Sequence, residues 1–132
     1  MSLKTVLFCD QKTAERNAGQ PDWAIISITQ IGGAGLHPGW LDVLRLEFHD
    51  TDIKDDPFAF NPLHAMLVSD FVEQVKEQGA VGILVHCYAG VSRSAAVAKW
   101  IAARNDLPFN DRYQLYNRHV YNVLHEYKRG GE

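Results

Sequence analysis

The chain predicts an α/β fold, a mostly parallel central sheet of four or five strands flanked by helices. Three observations carry this. Short apolar runs recur at residues 5–9, 24–29, 43–48 and 81–85. Segments with helical spacing lie between and after them. The connections are long enough for crossovers, and such alternation favours parallel strands covered by helices. A length of 132 residues fits one domain, spanning 1–132.

The first run, residues 5–9, is a short apolar strand ending in Cys9. Residues 10–22 are polar, with a turn or two of helix around residues 13–16, stopped by Gly19 and Pro21. The second run, 24–29, is continuously apolar enough to be buried on both faces. Gly32, Gly33 and Gly35 follow in a turn. They match neither a dinucleotide-binding fingerprint nor a nucleotide-binding loop with its lysine. The third run, 43–48, alternates, and leads into an acidic loop that holds Asp50, Asp52, Asp55 and Asp56. Asn61 and Pro62 form a helix start. Leu63, Leu67, Phe71 and Val75 then make a core-facing stripe, and Gly79 closes the helix. The fourth strand, 81–85, feeds Cys87, and an alanine-rich helix runs from Ser94 to about Arg104. Residues 105–108 end it. Tyr113, Tyr116, Val120, Val123, Leu124 and Tyr127 recur at helical spacing, as one helix or as two broken near Asn117. The tail from Lys128 frays into glycines.

Composition narrows the function. A net charge of −3, with acids and bases scattered, argues against nucleic acid or an anionic membrane as the main partner. No stretch is long and apolar enough to span a membrane, and no secretory leader is expected, since the residues before the first strand lack a long apolar run. Two cysteines, Cys9 and Cys87, do not make a disulfide framework, so a reducing, cytoplasmic setting is expected. The six histidines show no metal-ligand spacing, and no metal or cofactor is expected.

The chemistry concentrates in residues 82–94. A buried strand runs into Cys87, a small-residue turn with Gly90, and a helix opened by Arg93. Such a turn aims backbone N–H groups at one spot and favours an anion there. Arg93 adds a planar cation that matches two phosphate oxygens. A cysteine at the floor of that cup is held as thiolate, from about 8.5 for a free thiol into a range of roughly 3.5 to 7.5. A nucleophile beneath an oxyanion cradle is suited to phosphoryl transfer through a phosphocysteine.

The nine residues from His86 to Ser94, HCYAGVSRS, resemble the HCxxGxxR(S/T) signature of the cysteine-dependent protein tyrosine phosphatases. The Ala-Gly-x-Ser-Arg-Ser spelling is most similar to the dual-specificity branch. The resemblance, sharp over 83–94 and looser over 43–127, implies a phosphotyrosine-phosphatase-like fold. It also implies roles for the matching positions. Cys87 is the nucleophile, and Arg93 binds phosphate and transition state. Ser94 donates a hydrogen bond to the sulfur, His86 braces the loop, and Tyr88, Ala89, Gly90, Val91 and Ser92 wrap the phosphate. The family's general acid is an aspartate after the preceding strand. Asp50 fits best, but it lies 37 residues before Cys87, a longer separation than the pattern. Residues 54–60 look like an insertion, and Asp52, Asp55 and Asp56 stay open.

The substrate implied is a phosphotyrosine ester, with phosphoserine or phosphothreonine as further candidates, in a phosphorylated protein or a small phosphomonoester. Phosphate, sulfate or vanadate should occupy the loop. The loop lacks the extra basic residues that suit highly anionic inositol phosphates. Two other classes compete: a catalytically silent phospho-binding module, and a sulfur-transfer or arsenate-reducing cysteine enzyme. Cys9 reads as a small strand hydrophobe, with a resolving thiol as the alternative. Trp23, Trp40 and Trp100 read as core, Trp40 also as a pocket wall.

Overall fold

The computed structural model describes residues 2–128. Four strands, β1 (Thr5–Asp10), β2 (Trp23–Thr29), β3 (Val43–Glu47) and β4 (Gly82–Cys87), form one sheet in the order β1-β4-β2-β3. All pairings are parallel, so among the described residues the sheet has four strands and none runs antiparallel. The helices are α1 (Gln11–Arg16), α2 (Pro62–Glu77), α3 (Arg93–Arg104) and α4 (Arg118–Glu126). This α/β architecture agrees with the phosphotyrosine-phosphatase-like fold expected.

The order places β4 between β1 and β2, and all six of its residues are buried. The larger core lies on one face. There Val6, Ala24, Ile26, Ile28, Ile83, Val85 and Cys87 pack against Val68, Val72, Val75, Val97, Ile101, Val120 and Leu124 from α2, α3 and α4. The other face carries Ile25 and Leu84 under Ala14 of α1, with Cys9, Trp23 and Trp40 partly buried beside them. Helices on both faces explain why β2 and β4 read as continuous apolar runs rather than alternating ones.

The α2 start follows the sequence closely. Asn61 caps the helix by accepting from Leu63 and His64 N–H, and His64 Nδ1 accepts from the Asn61 N–H. At its far end Gly79 takes a φ of +89°, the left-handed conformation that closes a helix without a Cβ penalty. The predicted stripe needs correction. Phe71 and Val75 are buried, but Leu63 is 61 % and Leu67 38 % exposed. Steps of four residues drift around a helix of 3.6 residues per turn. The buried face instead follows Ala65, Val68, Val72 and Val75.

The last helix also differs. It begins only at Arg118, with Asn117 as its cap, so Tyr113 and Tyr116 sit in irregular chain. Their spacing is accounted for by packing rather than helicity: Tyr113 meets the Phe8 ring edge-on, and Tyr116 meets Tyr121. The expected glycine tail beyond Lys128 lies outside the described residues. Of the tryptophans, only Trp100 is core; Trp23 and Trp40 are half-buried and line a cleft of about 340 Å³ on the α1 face.

Candidate active site

Cys87 ends the central strand, and α3 begins six residues later at Arg93. The turn between them holds its shape through its carbonyls. Tyr88 C=O accepts from Gln11 N–H, and Ser92 C=O accepts from Asn117 N–H. Val91 C=O accepts from the Tyr113 hydroxyl. In a trans peptide N–H and C=O point opposite ways. The N–H groups of Ala89, Ser92 and Arg93 are therefore turned away from these outer partners. Gly90 has a φ of +69°, and a Cβ there would lie 2.3 Å from Asp10 N. Both the backbone conformation and the contact with the end of β1 demand glycine.

Cys87 is 2 % exposed. Its Sγ lies 3.1 Å from Ser94 Oγ. Burial alone pushes the thiol up. Hydrogen bonds from the Ser94 hydroxyl and the Ser94 and Gly90 N–H groups, with the Arg93 charge, more than offset it and leave the thiol below its ordinary range. Cys9 behaves oppositely: burial pushes it up to about 11. Cys9 pairs in register with His86 rather than Cys87, so it faces the other side of the sheet.

Arg93 is 5 % exposed, and its Nη1 donates to Phe48 C=O at 2.9 Å. Its Nε is buried without a hydrogen-bond partner, a donor in need of an acceptor. Behind the loop, His86 is fully buried with Nε2 2.6 Å from Ser27 Oγ. Burial lowers its basicity, which favours the neutral ring.

A cleft of about 410 Å³ opens over Arg93, lined by Gln11, Thr29, Gln30, Ile31, Gly33 and Tyr88. Arg93 is the only charged side chain in that lining. At the loop's outer side, Asp50 Oδ1 accepts from Ser92 Oγ at 2.8 Å and from Asn117 Nδ2 at 2.9 Å. The chain thus brings Asp50 to the loop between Cys87 and Arg93 despite the long separation in sequence. Asp56 instead accepts from the Phe58 N–H within its own turn, the ordinary work of a loop carboxylate. Asp52 and Asp55 are exposed. His49, next to Asp50, stacks on Phe58.

The geometry and the comparisons point the same way. The chain is similar to dual specificity phosphatases. Over 81 residues, 61 % of this chain, it is 32 % identical to "MAP kinase phosphatase with leucine-rich repeats protein 2" of Dictyostelium discoideum. Over 81 residues it is also 30 % identical to a probable dual specificity protein phosphatase of the same organism. The similarity spans only 11 % and 20 % of those proteins' lengths. No family model matches the chain.

Sequence reasoning found the loop residues and missed their outer supports. Asn117 appeared in the sequence only as a helix break, and Tyr113 only as part of a helical stripe. A legible signal was present for one of them: an Asn directly before a helical run is a capping residue with a second, unused polar end. The Ser92 side chain makes no cap hydrogen bond to α3, because its hydroxyl is committed to Asp50.

Proposed function

We propose that the chain is a phosphoprotein phosphatase that hydrolyses phosphotyrosine esters, with phosphoserine and phosphothreonine as further substrates. The observation that carries this is the Cys87 sulfur, 3.1 Å from Ser94 Oγ and held below its ordinary thiol range in a site that should raise it. The orphan Nε of buried Arg93 and the similarity to dual specificity phosphatases support the same reading.

In this mechanism the Cys87 thiolate attacks phosphorus and forms an S–P bond. The P–O bond to the leaving oxygen breaks, and Asp50 gives that oxygen its proton. Arg93 and the loop N–H groups hold the equatorial phosphoryl oxygens, where charge is spread in the transition state. Asp50, now a carboxylate, takes a proton from water as the water attacks phosphorus. The S–P bond breaks, Cys87 leaves as thiolate, and inorganic phosphate is released. Ser94 stabilises the sulfur in both steps, and His86 holds the loop from behind through Ser27. A cleft lining whose other described residues are uncharged beside Arg93 suits a singly phosphorylated group.

The test is hydrolysis of an aryl phosphate by purified protein in the presence of chelator, with Cys87→Ser beside it. The wild type should turn over, vanadate should block it, and Cys87→Ser should be inactive because a serine hydroxyl is not ionised near neutral pH. Turnover retained by Cys87→Ser overturns the proposal. Absence of phosphate release combined with transfer of sulfur from thiosulfate to cyanide assigns the site to sulfur chemistry instead.

A further inference from the structure

The two edges of the sheet are built differently. Edge strand β3 carries Arg45 and Glu47, both exposed, and charges on an edge discourage pairing with another strand. The opposite edge, β1, has no such guard. Residues 5–9 read Thr-Val-Leu-Phe-Cys, without charge, glycine or proline, and Leu7 is 51 % exposed.

The pairing of β1 with β4 determines what its free side offers. Thr5 N–H donates to Val81 C=O at 3.2 Å, and the direction of backbone groups alternates along a strand. Thr5, Leu7 and Cys9 therefore turn their N–H and C=O groups toward β4, and those of Val6 and Phe8 point away from the sheet. Among the described residues no hydrogen bond from outside the sheet reaches them. Clefts of about 340 and 300 Å³ flank the strand, one beside Trp23 and Trp40 and one beside Pro108 and Phe109. Leu7 and Phe8 line both.

The strand is also complementary to itself. An exposed lysine, Lys4, precedes it, and Asp10 ends it. Asp10 spends only Oδ1 on capping α1. An antiparallel copy centred on Leu7 sets Lys4 opposite Asp10 at both ends, Thr5 opposite Cys9, and Val6 opposite Phe8. The outward N–H and C=O groups of Val6 and Phe8 then face each other, as a hydrogen-bonded antiparallel pair requires. A shift of register by two residues loses the charge match, and an in-register parallel copy sets like charges together.

We propose that the free edge of β1 is a dimer interface whose occupant is a second copy of this chain. The two β1 strands pair antiparallel about a two-fold axis through Leu7, and the sheets of the two protomers become one. A closed two-fold contact demands a surface that matches itself, and the Lys4–Asp10 match supplies this.

Sedimentation equilibrium of the whole chain tests the inference. The mass should rise with concentration from 14.9 kDa toward twice that value. Leu7→Lys sets two cations against each other on the axis and should weaken the dimer at least about ten-fold. Its circular dichroism spectrum should be unchanged, because the side chain it replaces is half exposed. The register has its own test in Lys4→Glu and Asp10→Lys. Each variant alone opposes like charges at both ends and should pair more weakly than wild type. An equimolar mixture restores opposite charges at both ends and should form heterodimers tighter than either variant forms with itself. A chain that stays at 14.9 kDa up to its solubility limit overturns the inference. So does a dimer that Leu7→Lys leaves intact, since the contact then lies elsewhere. A mixture no tighter than its components overturns the antiparallel register and the second copy argued from it. A monomer that instead binds an extended peptide rich in Thr and Val gives this edge to a different partner and overturns it likewise.

Discussion

Burial and ionisation pull the Cys87 thiol in opposite directions, and three hydrogen-bond donors and one cation decide the outcome. Desolvation favours the neutral thiol; the Ser94 hydroxyl, two backbone N–H groups and the Arg93 cation favour the anion and win. Of these, the Ser94 hydroxyl is the one a single substitution removes without disturbing the backbone. Ser94→Ala should therefore move the midpoint of iodoacetamide alkylation at Cys87 to higher pH. Since the folded thiol titrates below its ordinary value, wild-type reactivity should extend to lower pH than that of a free thiol and vanish as pH falls through that lowered value. Peptide mapping supplies an internal control, because Cys9, pushed up to about 11, should stay unmodified across the neutral range. An unchanged midpoint in Ser94→Ala would remove the hydroxyl from the account of ionisation. The residues on the inside of the loop were legible because each carries its chemistry in its type: a thiol, a guanidinium, a hydroxyl at the second position of a helix. Tyr113 was not, because its partner is a backbone carbonyl and a sequence does not show which carbonyl a phenol will reach. Asn117 was legible as a cap, but not as the amide whose amino group meets Asp50 and the Thr51 carbonyl.

At the scale of elements, α2 is fixed at its start by the reciprocal bonds of Asn61 and His64. The His64 bond requires an unprotonated Nδ1, since it accepts from the Asn61 N–H. Burial lowers the His64 pKa. In the unfolded chain the ring takes up its proton near about 6.5, so the unfolded state binds more protons below that value. Stability is thus full above the ordinary imidazole range and falls as pH drops through it toward the lowered folded value. Urea midpoints measured from pH 7.5 to pH 5 should decline, and His64→Gln, which keeps a side chain able to reach back to the cap, should flatten part of the decline. His86 and Cys87 also titrate below their ordinary values in the folded state and contribute to what remains. A variant with the same slope as wild type would clear His64 of that role. The start of α2 was readable from Asn61 and Pro62 because capping is local. Its buried face was misjudged at Leu63 and Leu67 because steps of four residues drift off the face that packing buries, which runs through Ala65, Val68, Val72 and Val75. The same holds for α4, whose start is set by a cap, while the tyrosines before it follow the aromatic cluster around Phe8 and Tyr121.

For the whole molecule, the topology explains why one short loop gathers groups from distant parts of the chain. Placing β4 between β1 and β2 sets Cys87 at the carboxyl end of a buried central strand, where open α/β sheets bind ligands. The end of β3 lies close enough for Phe48 C=O to meet Arg93, and Asp50 follows two residues later. The parallel, helix-flanked sheet was legible from four apolar runs and their spacing. The order of the strands was not, since long crossovers leave it open until packing selects one arrangement. The account as a whole rests on a covalent bond between Cys87 and phosphorus. Rapid mixing with an aryl phosphate, quenching in denaturant and peptide mass spectrometry test this directly. The prediction is a phosphoryl group on the peptide containing Cys87, present during turnover and absent in Cys87→Ser. Steady phosphate release with no phosphoryl group on Cys87, or with one on another residue, would contradict it.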